Sequence, residues 1–251
     1  MKIAVITGAS SGIGVEFYKE MQKEALDEIW IIARRKIRLK EISEKFGILP
    51  TRIISMDITV EDNIRKYREL LKENGAEIKF LINNAGFGVI GNLDKADFQQ
   101  QGEMCNLNVR ALTQFTTVSL EFMEKGSFII NTCSIASFVP NARMSVYAAT
   151  KAYVMSFTRS LRYELKKRKI NVTALCPGPM DTEFLAVAGI GKGVSKTFDK
   201  LPRCDPQKSA KGAIKAAKKG KCVYTPKLFY KFYRVMAKIL PTSWLMGAAK
   251  T

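Results

Sequence analysis

The sequence predicts an α/β protein: a doubly wound parallel sheet of about seven strands with helices on both faces. Two features carry that reading. Short runs rich in Ile, Val and Phe alternate with longer segments of helical period. The short runs are also continuously apolar, as expected of parallel strands covered on both sides. Right-handed crossovers then wind the helices onto the two faces.

In chain order, Ile3–Thr7 is the first strand and enters a glycine-rich turn before a helix over Val15–Lys23. Strand Glu28–Ala33 and helix Arg38–Phe46 follow, then strand Arg52–Met56 and helix Val60–Glu73. Phe80–Asn83, Ser127–Thr132 and Asn171–Cys176 are strands four to six, joined by helices over Phe98–Met123 and Tyr147–Lys167. Pro206–Lys219 and Lys221–Thr225 add a last helix and strand. No internal repeat, low-complexity tract or linker divides the chain, so residues 1–251 read as one domain. Thr182–Asp205 is the least regular stretch, with Gly189, Gly191 and Gly193 close together. It reads as a long loop over the carboxyl edge of the sheet, either a substrate lid or an ordinary surface loop.

Composition excludes several classes of function. The chain has no histidine, which removes every Ser-His, Cys-His and His-ligated metal mechanism and leaves Tyr, Lys, Asp, Glu or Cys for proton transfer. Five cysteines without a C-x-x-C pair argue against a disulfide framework and for a reducing compartment. No apolar run reaches the roughly 18 residues of a spanning helix, and the N-terminus lacks a signal-peptide pattern. A cytoplasmic location is the expectation. The formal charge is +18, from 41 Lys and Arg against 23 Asp and Glu, but the excess is spread along the chain. No recognised nucleic-acid module or aromatic-basic stacking pattern accompanies it, so nucleic acid is not an expected partner.

The turn after the first strand is Thr7-Gly8-Ala9-Ser10-Ser11-Gly12-Ile13-Gly14. Glycines there let the backbone turn sharply and approach a pyrophosphate, which would sit against the N–H groups opening the next helix. At the end of strand two stand Arg34 and Arg35, where an NAD enzyme would carry a carboxylate for the ribose 2′-hydroxyl. Either they grip a 2′-phosphate, which selects NADP over NAD, or they merely open a solvated basic helix. Asp57, followed by Ile58, ends strand three, where it would meet an adenine amine or form a turn. Asn83-Asn84-Ala85-Gly86 ends strand four at the ligand-binding edge.

Tyr147-Ala148-Ala149-Thr150-Lys151 places a phenol and an ammonium four residues apart, on one helix face. A free tyrosine, with a pKa of about 10, is a poor base. A neighbouring ammonium is expected to lower that pKa toward working pH. Ser134 follows strand five, 13 residues before Tyr147, and makes the pattern more specific. Cys133 beside it reads as a small buried residue.

These pieces, in this order, resemble the classical short-chain dehydrogenase/reductase family, in its NADP-preferring branch. The matches are Thr7–Gly14, Asn83–Gly86, Asn108 within Asn106-Leu107-Asn108-Val109, Ser134, Tyr147 with Lys151, and Pro177-Gly178 with Thr182. The resemblance implies a Rossmann-type oxidoreductase using NADP(H). Tyr147 would exchange the proton with the substrate oxygen and Ser134 would hydrogen-bond it. Lys151 would hold the nicotinamide ribose, and Asn108 would anchor a proton-relaying water. Gly8, Ser10, Ser11, Gly12, Ile13, Gly14, Arg34, Arg35, Asp57, Ile58, Asn84, Ala85, Gly86, Pro177, Gly178 and Thr182 would line the cofactor. The expected substrate is an apolar ketone or secondary alcohol, hydroxysteroid-like or 3-oxoacyl-like, with an anionic group compatible with the basic chain. The contrary reading is a non-catalytic NADP-binding regulator, which would have no use for the acid/base group. A homo-oligomer through the long helices is also implied.

The C-terminal part is basic and amphipathic. Lys208, Lys211, Lys215 and Lys218 share a helix face. In residues 227–240, Leu228, Phe229, Phe232, Val235, Met236, Ile239 and Leu240 trace an apolar stripe beside Lys227, Lys231, Arg234 and Lys238. The stripe is expected to dock on protein, near the substrate entrance or a sister subunit, with peripheral contact to anionic lipid as the alternative.

Overall fold

The computed structural model describes residues 1–190 and 196–248. Seven parallel strands form one sheet in the order β3-β2-β1-β4-β5-β6-β7. They are β1 (Lys2–Thr7), β2 (Glu28–Ala33), β3 (Thr51–Ser55), β4 (Glu77–Asn83), β5 (Phe128–Thr132), β6 (Asn171–Leu175) and β7 (Val223–Tyr224). The four central residues of β2 and the last five of β1 are buried, because helices cover both faces. The doubly wound sheet is therefore as the apolar runs predict. The strand order reverses at β1, which pairs with β2 on one side and β4 on the other. Above the carboxyl ends of that pair the two connections diverge and leave a crevice, the usual ligand position in such sheets.

Two apolar layers hold the helices. On one face, α3 (Glu61–Glu73), α5 (Leu112–Ser119) and α6 (Ser145–Glu164) pack around Trp30, Tyr67 and Phe115. The Tyr67 and Phe115 rings stack at 4.1 Å between centroids. On the other face lie α1 (Gly12–Met21), α2 (Lys36–Phe46) and α9 (Pro206–Lys218). Phe17 of α1 shares this layer with Ala210, Ala213 and Ala217 of α9, whose small side chains let the two helices approach closely. Asp205 caps α9, accepting from Lys208 N at 2.7 Å, and Pro206 opens it with a pre-set φ.

Two sequence expectations need correction. The helix expected over Phe98–Met123 is broken into α4 (Phe98–Cys105), a wide π turn (Asn106–Ala111) and α5. Within α5, Thr116 and Ser119 bond back to the carbonyls four residues earlier, at 2.7 Å each. The stretch Thr182–Asp205 is not all loop. It contains α7 (Glu183–Val187) and α8 (Lys196–Lys200), while Gly191 and Gly193 lie outside the described residues. After β7 come α10 (Leu228–Ile239) and α11 (Thr242–Ala248). No described helix is long and apolar enough to cross a membrane.

Candidate active site

The β1–α1 turn is built by close backbone approach. Gly8 has φ +66° and a Cβ there would lie 2.7 Å from Ala85 Cα, so the loop packs directly on the end of β4. A Cβ at Gly14 would lie 2.2 Å from Gly8 O, which fixes the first turn of α1 beneath the loop. Asn84 locks the two strands together. Its backbone N–H donates to Thr7 Oγ1 at 3.0 Å and its side-chain amide to Gly8 O at 3.1 Å. Asn83 is different: it is buried among Thr116 and Asn131 and braces the sheet below.

Above this junction opens a cleft of about 840 Å³. Gly8, Ser10, Ser11, Gly12, Ile13, Arg34, Arg35, Asp57, Ile58, Asn84, Ala85 and Gly86 line one end. Ser134, Tyr147, Lys151, Pro177, Gly178 and Thr182 line the other, so the structure brings these predicted residues together. Gly14 lies beneath rather than on the wall. The two arginines are not equivalent. Arg35 reaches over the glycine loop and donates to Ser10 Oγ at 3.1 Å. It also donates to Glu183 at 2.8 Å, and Arg38 donates to the same carboxylate at 3.0 Å. The hydrogen bond from Arg35 chiefly holds Glu183 below its ordinary pKa. Arg34 is 77 % exposed and stands 3.8 Å from Asp57. Asp57 in turn accepts from Thr59 N at 2.9 Å.

In the catalytic group, Tyr147 is buried and the Ser134 hydroxyl hydrogen-bonds its phenol. Burial pushes the phenol well above its ordinary pKa, and the Ser134 bond only partly offsets this. Lys151 donates to Thr132 O at 2.9 Å and lies 5.7 Å from the Tyr147 ring centroid. Burial also lowers the Lys151 pKa. The expected lowering of the tyrosine pKa is not seen: desolvation outweighs the Ser134 hydrogen bond and raises the phenol instead. Cys133 is buried, donating to Lys151 O at 3.2 Å.

Asn108 is not on the cleft wall. It sits in the π turn, donates to Phe87 O at 2.8 Å and Thr150 Oγ1 at 3.1 Å, and accepts from Phe87 N at 3.1 Å. It ties the segment after β4 to α6, one layer behind Tyr147. π turns recur at functional sites because the extra residue re-aims side chains.

Several residues that shape the site escaped the sequence reading. Gly88 lies against Tyr147: a Cβ there would be 2.7 Å from Cδ2 of the ring. Phe184, on α7, faces the same ring at 5.8 Å between centroids. Tyr147 belongs to an apolar cluster with Met144, Ile190 and Phe198, against which Phe87 and Leu185 pack. Tyr230 of α10 passes beneath Gly178, where a Cβ would come within 2.1 Å of its ring, and donates to Pro202 O at 2.8 Å. A second glycine two positions after Gly86 was the one sequence signal available for Gly88.

Residues 2–193 match the family model for short chain dehydrogenase. The chain belongs to the short-chain dehydrogenase/reductase family. It is therefore an oxidoreductase by descent. An uncharacterized oxidoreductase of Staphylococcus epidermidis is 32 % identical over 193 residues, covering 76 % of this chain and 83 % of the relative. A short-chain dehydrogenase from Sphingobium yanoikuyae in complex with NADPH superposes with a TM-score of 0.81 at 25 % identity, covering 98 % of this chain and 95 % of that one. The 3-ketoacyl-(acyl-carrier-protein) reductase from Brucella melitensis complexed with NADH gives a TM-score of 0.78 at 25 % identity, covering 89 % and 96 %. A nicotinamide cofactor is common to both solved relatives.

Proposed function

We propose that this short-chain dehydrogenase interconverts an apolar ketone and its secondary alcohol using NADP(H). The observation that carries the reading is the convergence of Ser134, Tyr147 and Lys151 on one cleft wall, facing the glycine loop across a single cavity. The cleft fits a dinucleotide. Its floor is backbone stripped of Cβ atoms at Gly8 and Gly12, and the N-terminal end of α1 offers unpaired N–H groups to a pyrophosphate. Arg35, anchored on Ser10, supports the preference for a 2′-phosphate, since a guanidinium binds phosphate in a fork. The bound nicotinamide supplies the hydride.

The protein's part is proton transfer and orientation. A neutral Tyr147 phenol is the form that donates a proton to a carbonyl oxygen, so its raised pKa suits reduction. Ser134 holds the phenol oxygen, and through it the point where the substrate oxygen must come to rest. Lys151 spends one of its three protons on Thr132 O, which aims the remaining two along the cleft. The wall beyond Tyr147, formed by Phe87, Met144, Phe184 and Leu185, excludes water and favours an apolar substrate body. Among the described residues the cleft's cations are Arg34 and Arg35 at the far end and Lys151, which favours a neutral substrate over an anionic one.

NADPH oxidation by purified protein with a panel of hydroxysteroid-type and 3-oxoacyl-type ketones tests the reading. Tyr147→Phe should keep the fold and NADPH binding and lose turnover by a factor of about 10² to 10⁴. Near-normal turnover in that variant refutes the role of Tyr147. A several-fold preference of the wild type for NADH refutes the cofactor assignment.

A further inference from the structure

After Asp205 the chain contains no Asp or Glu, while lysines and one arginine recur to the end. α10 lies in this segment and rests on the protein through one side only. Tyr230 is fully buried beneath Gly178, and Tyr233 packs against Phe138 at 6.2 Å between ring centroids. The opposite side carries Leu228, Phe232, Val235 and Ile239 at helical spacing, and these are 79 %, 64 %, 48 % and 70 % exposed. Trp244 of α11 is exposed as well. These four side chains are not covered by their own chain, although Phe229 of the same stripe lines the cleft, as expected of a helix beside the substrate entrance. Lys227, Lys231, Arg234 and Lys238 run beside it, each one position earlier on the helix.

We infer that α10 and α11 seat the protein on an anionic lipid surface, with the apolar stripe in the boundary between headgroups and acyl chains and the cationic stripe on the headgroup phosphates. An apolar face flanked by lysines is the arrangement of a helix that lies in the interface plane. Spanning is not available to it, since no described helix has the length and hydropathy to cross. A second copy of this chain is a poorer occupant. A two-fold contact sets the same patch against itself. The cationic stripes would then meet with no carboxylate in the segment to neutralise them. Anionic lipid supplies both the apolar medium and the opposite charge.

The seating has a consequence for access that rests on the proposed function. Tyr230 and Tyr233 on the inner side of α10 line the cleft, so a lipid-facing helix is also a cleft wall. A neutral, lipophilic ketone dissolved in the bilayer would reach the site beside this helix without crossing bulk water.

The experiment is co-sedimentation of the full-length protein with vesicles of phosphatidylcholine alone and of phosphatidylcholine with phosphatidylglycerol in equal parts. The protein should pellet at least tenfold more with the anionic vesicles, and high salt should release it. Trp30 is fully buried, so a blue shift of tryptophan emission on vesicle addition reports Trp244. The double variant Phe232→Glu/Ile239→Glu should stay in the supernatant with unchanged NADPH binding and circular dichroism, because neither side chain lines the cleft. Failure of the wild type to pellet with anionic vesicles overturns the inference, as does undiminished pelleting of the double variant. A wild-type dimer that the double variant converts to a monomer assigns the face to a second copy and overturns it equally. Absence of ketone turnover would count against the reductase reading and leave the vesicle result standing.

Discussion

Gly88→Ala is the most searching single substitution for the catalytic geometry. Gly88 does not have a positive φ, so alanine imposes no backbone strain and the effect is steric. The added methyl would lie 2.7 Å from Cδ2 and 3.0 Å from Cε2 of Tyr147, about 0.7 Å inside the 3.4 Å at which ordinary contact begins. The ring cannot retreat freely, because Phe184 Cζ is itself 3.2 Å from the same methyl position. The phenol oxygen must therefore move by a substantial fraction of an ångström. A misplacement near 1 Å costs on the order of 10²-fold in rate, so kcat for ketone reduction should fall roughly ten- to a hundredfold. NADPH affinity, read by cofactor fluorescence, should change little, since Gly88 is not on the cofactor wall. Adding Phe184→Ala should restore part of the rate by giving the ring somewhere to go. A Gly88→Ala enzyme with wild-type kcat would show that the position of the Tyr147 ring does not govern turnover.

Three further outcomes are expected. Arg35→Ala should raise the Kd for NADPH at least tenfold more than that for NADH, whereas Arg34→Ala should have the smaller effect because its side chain is largely exposed. Equal losses for both cofactors in Arg35→Ala would remove the phosphate contact. Glu183→Gln should tighten NADPH several-fold and leave NADH unchanged, because a carboxylate at 2.8 Å competes with phosphate for Arg35; unchanged NADPH titrations would refute the competition. With the Tyr147 pKa raised above its ordinary value, reduction needs the protonated phenol and should stay flat up to about pH 10. Alcohol oxidation needs the phenolate and should climb across the same range. An oxidation rate that levels off near neutrality would show that the phenol ionises there.

What could be read from the sequence was what the local backbone dictates. The β1–α1 glycine turn, the Asn84-Ala85-Gly86 strand end and the Tyr147–Lys151 pair announce themselves because each is a contiguous pattern with one conformational use. Residues whose roles depend on distant partners did not. Glu183 meets Arg35 across 148 positions, and Tyr230 meets Gly178 across α7, α8, α9 and β7. The pKa expectation failed for a related reason: helical spacing places Lys151 near Tyr147 but says nothing of how dry the site is, nor of the carbonyl of Thr132 that takes the ammonium. The break at Asn106–Ala111 was hidden because a π turn keeps the apolar content of an α-helix. Helix α10 was recognised as amphipathic, yet periodicity cannot tell which of its faces a ring such as Tyr230 will anchor.

That anchoring bears on how the protein can be taken apart. The family match ends at residue 193, which suggests that the tail beyond it is an exchangeable appendage. Tyr230 contradicts this, because its ring fills the space that a side chain at position 178 would need. A tail grafted from a relative without that ring leaves a hole under the nicotinamide end of the cleft. The reverse graft, this tail onto a relative with a side chain at that position, collides. The tail and the family-matched part of the chain are cut to one another's shape, and they can be exchanged only as a pair.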